Sequence, residues 1–228
     1  MGQSVSGVGV LDKSVAVLEA VAASGGAASL AELVALTGIS RATTHRLAVA
    51  LEAHGLLRRD DAGRFALGLR LVGLGHAAAA GWPIAELARP ALEALRDQTG
   101  ESAQLYVRDG DQRVCVVSLE SAHELRTIVP EGVRLPLAVG SAGRLLSGEA
   151  APTGWTASVE ERAPGIASVS ALVIDPRSGL LLAAVGISGP VGRLGSDPGA
   201  RFGKAVVTAA LQITRLVTEV TASSRTGT

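Results

Sequence analysis

Aromatic side chains are almost absent from this sequence: Phe, Tyr and Trp together make up 2% of its 228 residues, beside one cysteine and one methionine. Without large rings the core has to be assembled from Ala, Val and Leu, and a hydrophobic share of 47% supplies enough of them. A single cysteine excludes an intramolecular disulfide and fits a reducing compartment. It lies in Arg113-Val114-Cys115-Val116-Val117, the setting of a buried strand residue rather than a reactive thiol. No apolar run approaches the roughly 20 residues of a membrane-spanning helix, and the N-terminal residues lack the charged and apolar regions of a signal peptide. The expectation is a soluble, cytoplasmic protein with no membrane partner. Net charge is missing too, with 21 basic and 21 acidic residues, so any surface for a polyanion must be local.

The constellations of an enzyme are equally scarce. The sequence has no phosphate loop, no dinucleotide fingerprint and no Gly-x-Ser-x-Gly elbow. His45, His54, His76 and His123 are scattered without zinc-ligand spacing or a cysteine partner. No catalytic residue, metal site or cofactor is expected, and Glu160-Glu161 reads as a solvated turn.

What is present is a compact pattern between Ser29 and Gly68. Ser29-Leu30-Ala31-Glu32 fits a capping box, in which hydroxyl and carboxylate each satisfy a free amide at a helix start. Leu30, Leu33 and Val34 give that helix an apolar face, and Gly38 can supply the left-handed residue that ends it. Ser40 can cap a second helix. In it Leu47, Ala50, Leu51 and His54 mark an inward stripe, while Arg41, Ala42, His45, Val49 and Glu52 point outward, Arg46 lies at the border and Thr44 tilts inward. Leu56–Arg59 and Arg64–Leu67 read as short strands around a turn-rich Asp60-Asp61-Ala62-Gly63. Leu11, Val15, Leu18 and Val21 place a further helix over residues 12 to 23. The whole is a winged helix-turn-helix, whose second helix offers its first turns to base edges while a basic wing reaches phosphates. Ser40, Arg41, Ala42, Thr43, His45, Arg46, Arg58 and Arg64 are the candidate contacts to double-stranded DNA. Between Arg41 and Arg70, six arginines face three acids (Glu52, Asp60, Asp61), a modest local basic excess. A helical bundle whose winged module binds protein, or a metabolic enzyme whose groups converge only in the fold, stay open on these residues alone.

Residues 69 to 81 read as a linker helix, and Pro83 suits the first turn of another that runs through Ile84, Leu87, Ala91, Leu92 and Leu95 to Gly100. Strand patterns follow at Ala103–Val107 and Arg113–Val117 around Arg108-Asp109-Gly110-Asp111, at Leu125–Val129, and at Ile166–Ile174 and Leu180–Ser188 around Asp175-Pro176-Arg177-Ser178-Gly179. Phe202, Val206, Ala209, Ala210, Ile213, Leu216, Val217 and Val220 form a closing amphipathic helix. The fold class is α+β: residues 1 to 68 as DNA-binding domain, 69 to 81 as linker helix, and 82 to 228 as an antiparallel sheet flanked by helices.

Several stretches, taken in order, resemble the IclR family of bacterial transcription regulators over nearly the whole chain. They are Gly9-Val10-Leu11-Asp12-Lys13-Ser14-Val15, Ser40-Arg41-Ala42-Thr43-Thr44-His45-Arg46-Leu47, Pro164-Gly165-Ile166-Ala167-Ser168-Val169-Ser170-Ala171 and Val185-Gly186-Ile187-Ser188-Gly189-Pro190. Gly2–Gly9, Thr99–Tyr106 and Glu161–Gly165 look like the actinobacterial branch that controls leucine biosynthesis and amino-acid-dependent growth. The resemblance implies a GAF-like effector domain that binds a small carboxylate or amino-acid-related metabolite, with Ser141, Ala142, Ser158, Ser168, Gly186 and Ser188 at the matching positions. It also implies a homodimer or a dimer of dimers. Small residues packed in a tight sheet without a ligand remain the alternative for those six positions. The chain departs from the family between Leu146 and Trp155, where some twenty residues are missing, and the pocket is expected to be open on that side.

Overall fold

The computed structural model describes residues 8–80 and 83–223. They fall into two compact units on either side of residues 81–82. Most of the Gly2–Gly9 stretch and the Gly81-Trp82 end of the linker lie outside the described residues, as does the side chain of Val220.

The N-terminal unit runs α1 (Gly9–Ala23), β1 (Ala27–Ala28), α2 (Leu30–Thr37), α3 (Arg41–Ala53), β2 (Leu57–Arg59), β3 (Phe65–Leu67) and α4 (Arg70–Ala80). The capping box forms: the Glu32 amide donates to Ser29 Oγ at 3.3 Å and the Ser29 amide to Glu32 Oε2 at 2.7 Å. Gly38 ends α2 at φ +67, where a Cβ would be strained. Val17, Val21, Leu33, Ala48, Leu51, Leu57 and Phe65 close the core of the three helices. β3 pairs with β2 as the wing and, on its other edge, with the two-residue β1, a strand too short to leave a periodic signal.

The inward face of α3 is Thr44, Ala48 and Leu51, about 75° round the helix from the expected stripe. Leu47 is half-buried, and Ala50 and His54 are exposed. A threonine can hold the core position because its hydroxyl donates to the carbonyls of Ile39 (3.2 Å) and Ser40 (3.1 Å). Ser40 occupies the cap position, but its hydroxyl bonds the Thr43 hydroxyl at 3.0 Å instead of a backbone amide.

The C-terminal unit comprises α5 (Ile84–Thr99), β4 (Ser102–Asp109), β5 (Gln112–Leu119), β6 (Arg134–Pro136), α6 (Ser141–Leu146), β7 (Thr156–Val159), β8 (Ile166–Ile174), β9 (Leu181–Pro190), α7 (Val191–Leu194) and α8 (Pro198–Ser223). The six strands form one antiparallel sheet in the order β6-β5-β4-β9-β8-β7. Its two faces follow the period of two. Ala103, Leu105, Val169, Ala171, Val173, Val185 and Ile187 meet Ala88, Leu92 and Leu95 of α5 and Val206, Ala209 and Ile213 of α8 in the main core. Tyr106 and Ala184, on the opposite face, pack with Ala142 and Leu146 of α6 and with Val129 and Leu137.

Two expectations need correction. Leu125–Val129 is not a strand: Leu125 and Ile128 are exposed, and the Arg193 guanidinium holds the Leu125 carbonyl at 2.8 Å. The strand beside β5 is β6, reached after Pro130 and Gly132 have turned the chain. The Gly140–Gly143 turn is instead the start of α6. The short Ser147–Gly154 connection delivers Trp155 onto α8, where its ring fills the space that side chains at Gly199 and Gly203 would need.

Candidate nucleic-acid interface and buried pocket

The first turns of α3 carry Arg41, Ala42, His45 and Arg46, all exposed. No carboxylate lies within ion-pair distance of either arginine among the described residues, and Thr43 stands half-buried beside Ser40. The three wing arginines differ. Arg58 is exposed and without an acidic partner among the described residues. Arg64 Nε is 2.9 Å from Asp60 Oδ2, and Asp60 also accepts from the Arg64 and Ala62 amides, which lowers its pKa. Arg59 bonds Glu52 at 3.3 Å and the Gly63 carbonyl at 2.9 Å, and lies over the Phe65 ring, so it braces the wing against α3. Three unpaired guanidiniums on one helix start and one strand suit the regularly spaced phosphates and guanine edges of a duplex.

In the C-terminal unit, Ser141, Ala142, Ser168, Gly186 and Ser188 line one cavity between the sheet and α6, together with Gln104, Tyr106, Arg113, Gly140, Arg162 and Ser170. Ser158 sits behind it. Register explains the gathering: Ser158 faces Ser168 across β7 and β8, Ser168 faces Ser188 across β8 and β9, and Gly186 faces both Ser170 and Gln104. Gly186 is required by packing, since a Cβ there would run into Ser170 Oγ and the Val169 carbonyl.

The hydroxyls bond one another. Ser141 Oγ lies 2.8 Å from both Ser168 Oγ and Ser170 Oγ, Ser158 Oγ lies 2.8 Å from Ser168 Oγ, and the Ser141 amide donates to Ser158 at 3.2 Å. Three bonds among four hydroxyls leave one hydroxyl hydrogen over. Ser188 donates to Gln104 Oε1 at 3.0 Å. The cavity measures about 20 Å³, and no residue of the Ser147–Gly154 connection lines it.

Sequence reasoning missed Arg113, Arg162 and Gln104. In β5, simple alternation puts Arg113 and Cys115 on the face of Val117 and Leu119. A register shift between Leu105 and Tyr106 turns them to the other face, so that Cys115 packs with Tyr106 while Val117 and Leu119 stay in the main core. Arg113 is 3% exposed. Its Nη1 donates to the carbonyls of Pro136 and Val139, and burial pulls its pKa below the usual arginine value. Burial also raises the Tyr106 hydroxyl and pushes the Cys115 thiol up to about 12. Glu161 is not simply solvated: its carboxylate accepts from the Gly140 amide at 3.0 Å and pairs with Arg144 at 2.6 Å, tying the end of β7 to the start of α6.

Among the described residues no helix is long and apolar enough to cross a membrane. Residues 10–61 match the IclR helix-turn-helix domain, and residues 76–153 and 149–215 match the bacterial transcriptional regulator IclR C-terminal region. The HTH-type transcriptional regulator KipR of Bacillus subtilis is 35% identical over 116 residues, which cover 51% of this chain and 46% of that one. The transcriptional repressor IclR of Escherichia coli is 25% identical over 90% of this chain and 88% of its own. The crystal structure of an IclR homolog complexed with 4-hydroxybenzoate, from Microbacterium hydrocarbonoxydans, shares the fold with a TM-score of 0.72 at 18% identity, over 91% of this chain and 98% of the other. With a winged helix-turn-helix at one end, an α+β unit at the other and both halves of the family matched in order, this chain belongs to the IclR family and is a DNA-binding transcriptional regulator, not an enzyme.

Proposed function

We propose that Ser40, Arg41, Ala42, Thr43, His45 and Arg46 read an operator in the major groove while Arg58, and less strongly Arg64, hold the flanking phosphates. The observation that carries this is the set of exposed, unpaired cations at the start of α3 and on the wing. Residues 1 to 68 act as the DNA-binding domain, 69 to 81 as linker helix, and 82 to 228 as the effector-binding and oligomerisation domain. One winged helix spans only a few base pairs, so the working unit is a homodimer or dimer of dimers reading half-sites one helical turn apart. A small carboxylate or amino-acid-related metabolite in the pocket, held among Ser141, Ala142, Ser158, Ser168, Gly186 and Ser188, modulates operator binding by favouring one arrangement of the assembly. The resemblance to the actinobacterial branch supports target genes in amino-acid, specifically leucine, biosynthesis.

A genome-wide map of bound sites, followed by titration of the strongest site with Arg41→Ala plus Arg46→Ala, tests this reading. Sites beside amino-acid biosynthetic genes and a loss of specific binding in the double variant are expected. Unchanged affinity rejects the recognition-helix assignment, and the absence of salt-dependent duplex binding points to a protein partner for the winged module.

A further inference from the structure

We propose that the pocket selects compact dicarboxylates, one carboxylate seated on Arg113 and Gln104 inside the cavity and the second on Arg162 at its mouth, with the serines acting as a polar floor. This rests on the effector reading above and names the chemical class of the ligand.

Three buried side-chain polar atoms lack a partner among the described residues, and two of them, Gln104 Nε2 and Arg113 Nε, belong to residues lining this cavity. Gln104 is 1% exposed and Arg113 3%, so bulk solvent does not reach them and only an enclosed water or a ligand in the cavity can supply their acceptors. Both are donors. Gln104 Oε1 is already taken by Ser188, so what remains to be bonded is the amide hydrogens. The hydroxyl chain can add one hydrogen and is otherwise self-satisfied.

Charge points the same way. Arg113 and Arg162 both line the cavity, no carboxylate does, and each arginine lies close enough to affect the other's field. Glu161, the nearest acid in sequence, is turned away to Arg144 and the Gly140 amide. Two like charges converging on a poorly hydrated space are stabilised by an anion that presents an acceptor to each, and a guanidinium binds a carboxylate through paired hydrogen bonds. A monocarboxylate satisfies one side of that cavity; a dicarboxylate satisfies both.

At about 20 Å³ the space holds roughly one or two waters. A dicarboxylate therefore enters by moving the Glu160–Gly165 segment that carries Arg162. That segment is held by the Glu161 contacts, and it contains Glu160 at φ +59, a conformation unusual for a residue with a side chain. Ligand entry is in this way coupled to the link between β7 and α6.

The test titrates the full-length protein with succinate, malate and 3-methylglutarate, each against a matched monocarboxylate (butyrate, 3-hydroxybutyrate, 3-methylbutyrate), by calorimetry and thermal melting. At least one dicarboxylate should bind about tenfold or more tightly than its monocarboxylate partner. Arg162→Gln should erase that preference at unchanged melting temperature, because Arg162 is half-buried and has no hydrogen-bond or ion-pair partner among the described residues. Gln104→Glu keeps an acceptor for Ser188 and offers Arg113 a carboxylate; it should raise the ligand-free melting temperature and abolish anion binding. Equal affinity for both members of every pair, or a preference that survives Arg162→Gln, overturns the dicarboxylate assignment while leaving the effector reading intact. If none of the six acids binds, the dicarboxylate assignment fails, whatever Gln104→Glu does to the melting temperature. The effector reading fails with it only if operator affinity also ignores a broad panel of amino acids and neutral metabolites.

Discussion

In the N-terminal unit Arg41, Arg46 and Arg58 stand in solvent without an acidic partner among the described residues, whereas in the C-terminal unit Arg113 is sealed under α6 and Arg89, Arg96, Arg126, Arg134, Arg144 and Arg193 are paired with carboxylates. Free surface cations cost the fold nothing and keep their charge for a long, salt-screened polyanion. A buried cation is expensive unless its donors are bonded, so it makes a selective site for one small anion and a poor one for anything else. On the readings proposed above, the same side chain would read many phosphates in one unit and one ligand in the other.

The largest effect that would break this contrast is on DNA. Removing both Arg41 and Arg46 should cost about 2–6 kcal/mol of operator binding if each contacts a base, about thirtyfold or more, with little change in melting temperature. Electrophoretic or fluorescence titration at fixed salt measures it. Arg113→Ala should do the opposite: about 2–3 kcal/mol of stability is lost as the Pro136 and Val139 carbonyls lose a charged donor, while a duplex still binds below the melting temperature. If Arg113→Ala leaves the denaturation midpoint where it was, the pocket cation is not structural.

Alkaline pH should separate the units next. The folded Cys115 thiol titrates at about 12 against a reference of 9.0, so the protein is favoured below pH 9 and that contribution is lost as pH rises from 9 towards 12, because only the unfolded thiol ionises. Tyr106 shifts in the same direction. In the N-terminal unit, Glu32 and Asp60 shift downwards and act at the acid end. Hydrogen exchange across pH 9 to 11 should show the sheet around Cys115 opening first, and Cys115→Ala should flatten that slope. The smallest expected effect sharpens the wing: Arg58→Ala should reduce the salt slope of duplex binding by about one unit, and Arg64→Ala by less, since Asp60 already neutralises part of its charge.

The N-terminal unit was legible because its signals are local: a capping box, a left-handed glycine and a turn between two basic strands lie within a few residues of their effects. The rotation of α3 was legible only in part: Thr44 is expected to tilt inward and does, but the apolar stripe neither marks Ala48 as its core neighbour nor shows Ala50 and His54 to be exposed. In the sheet unit, both long hairpins and the closing helix followed from turn residues and apolar period. β7, with the weakly apolar Thr156-Ala157-Ser158-Val159, did not. The small polar positions of the pocket could be named from resemblance, and the structure brings them together. Its unpaired donors could not: Arg113 reaches the cavity only through the displaced register of β5, and Arg162 from a loop.

The ring of Trp155 against Gly199 and Gly203 has a consequence for how this protein can evolve. Two bare backbone positions one helical turn apart form a notch that accepts a single rotation of α8, where a stripe of leucines would tolerate several. Neither glycine can drift to alanine by itself, and Trp155 cannot be replaced by a smaller residue without leaving a void, so the three positions can change only together. The closing helix is therefore fixed in rotation by this one notch, and changes to the cavity lining on the opposite face of the sheet leave it untouched.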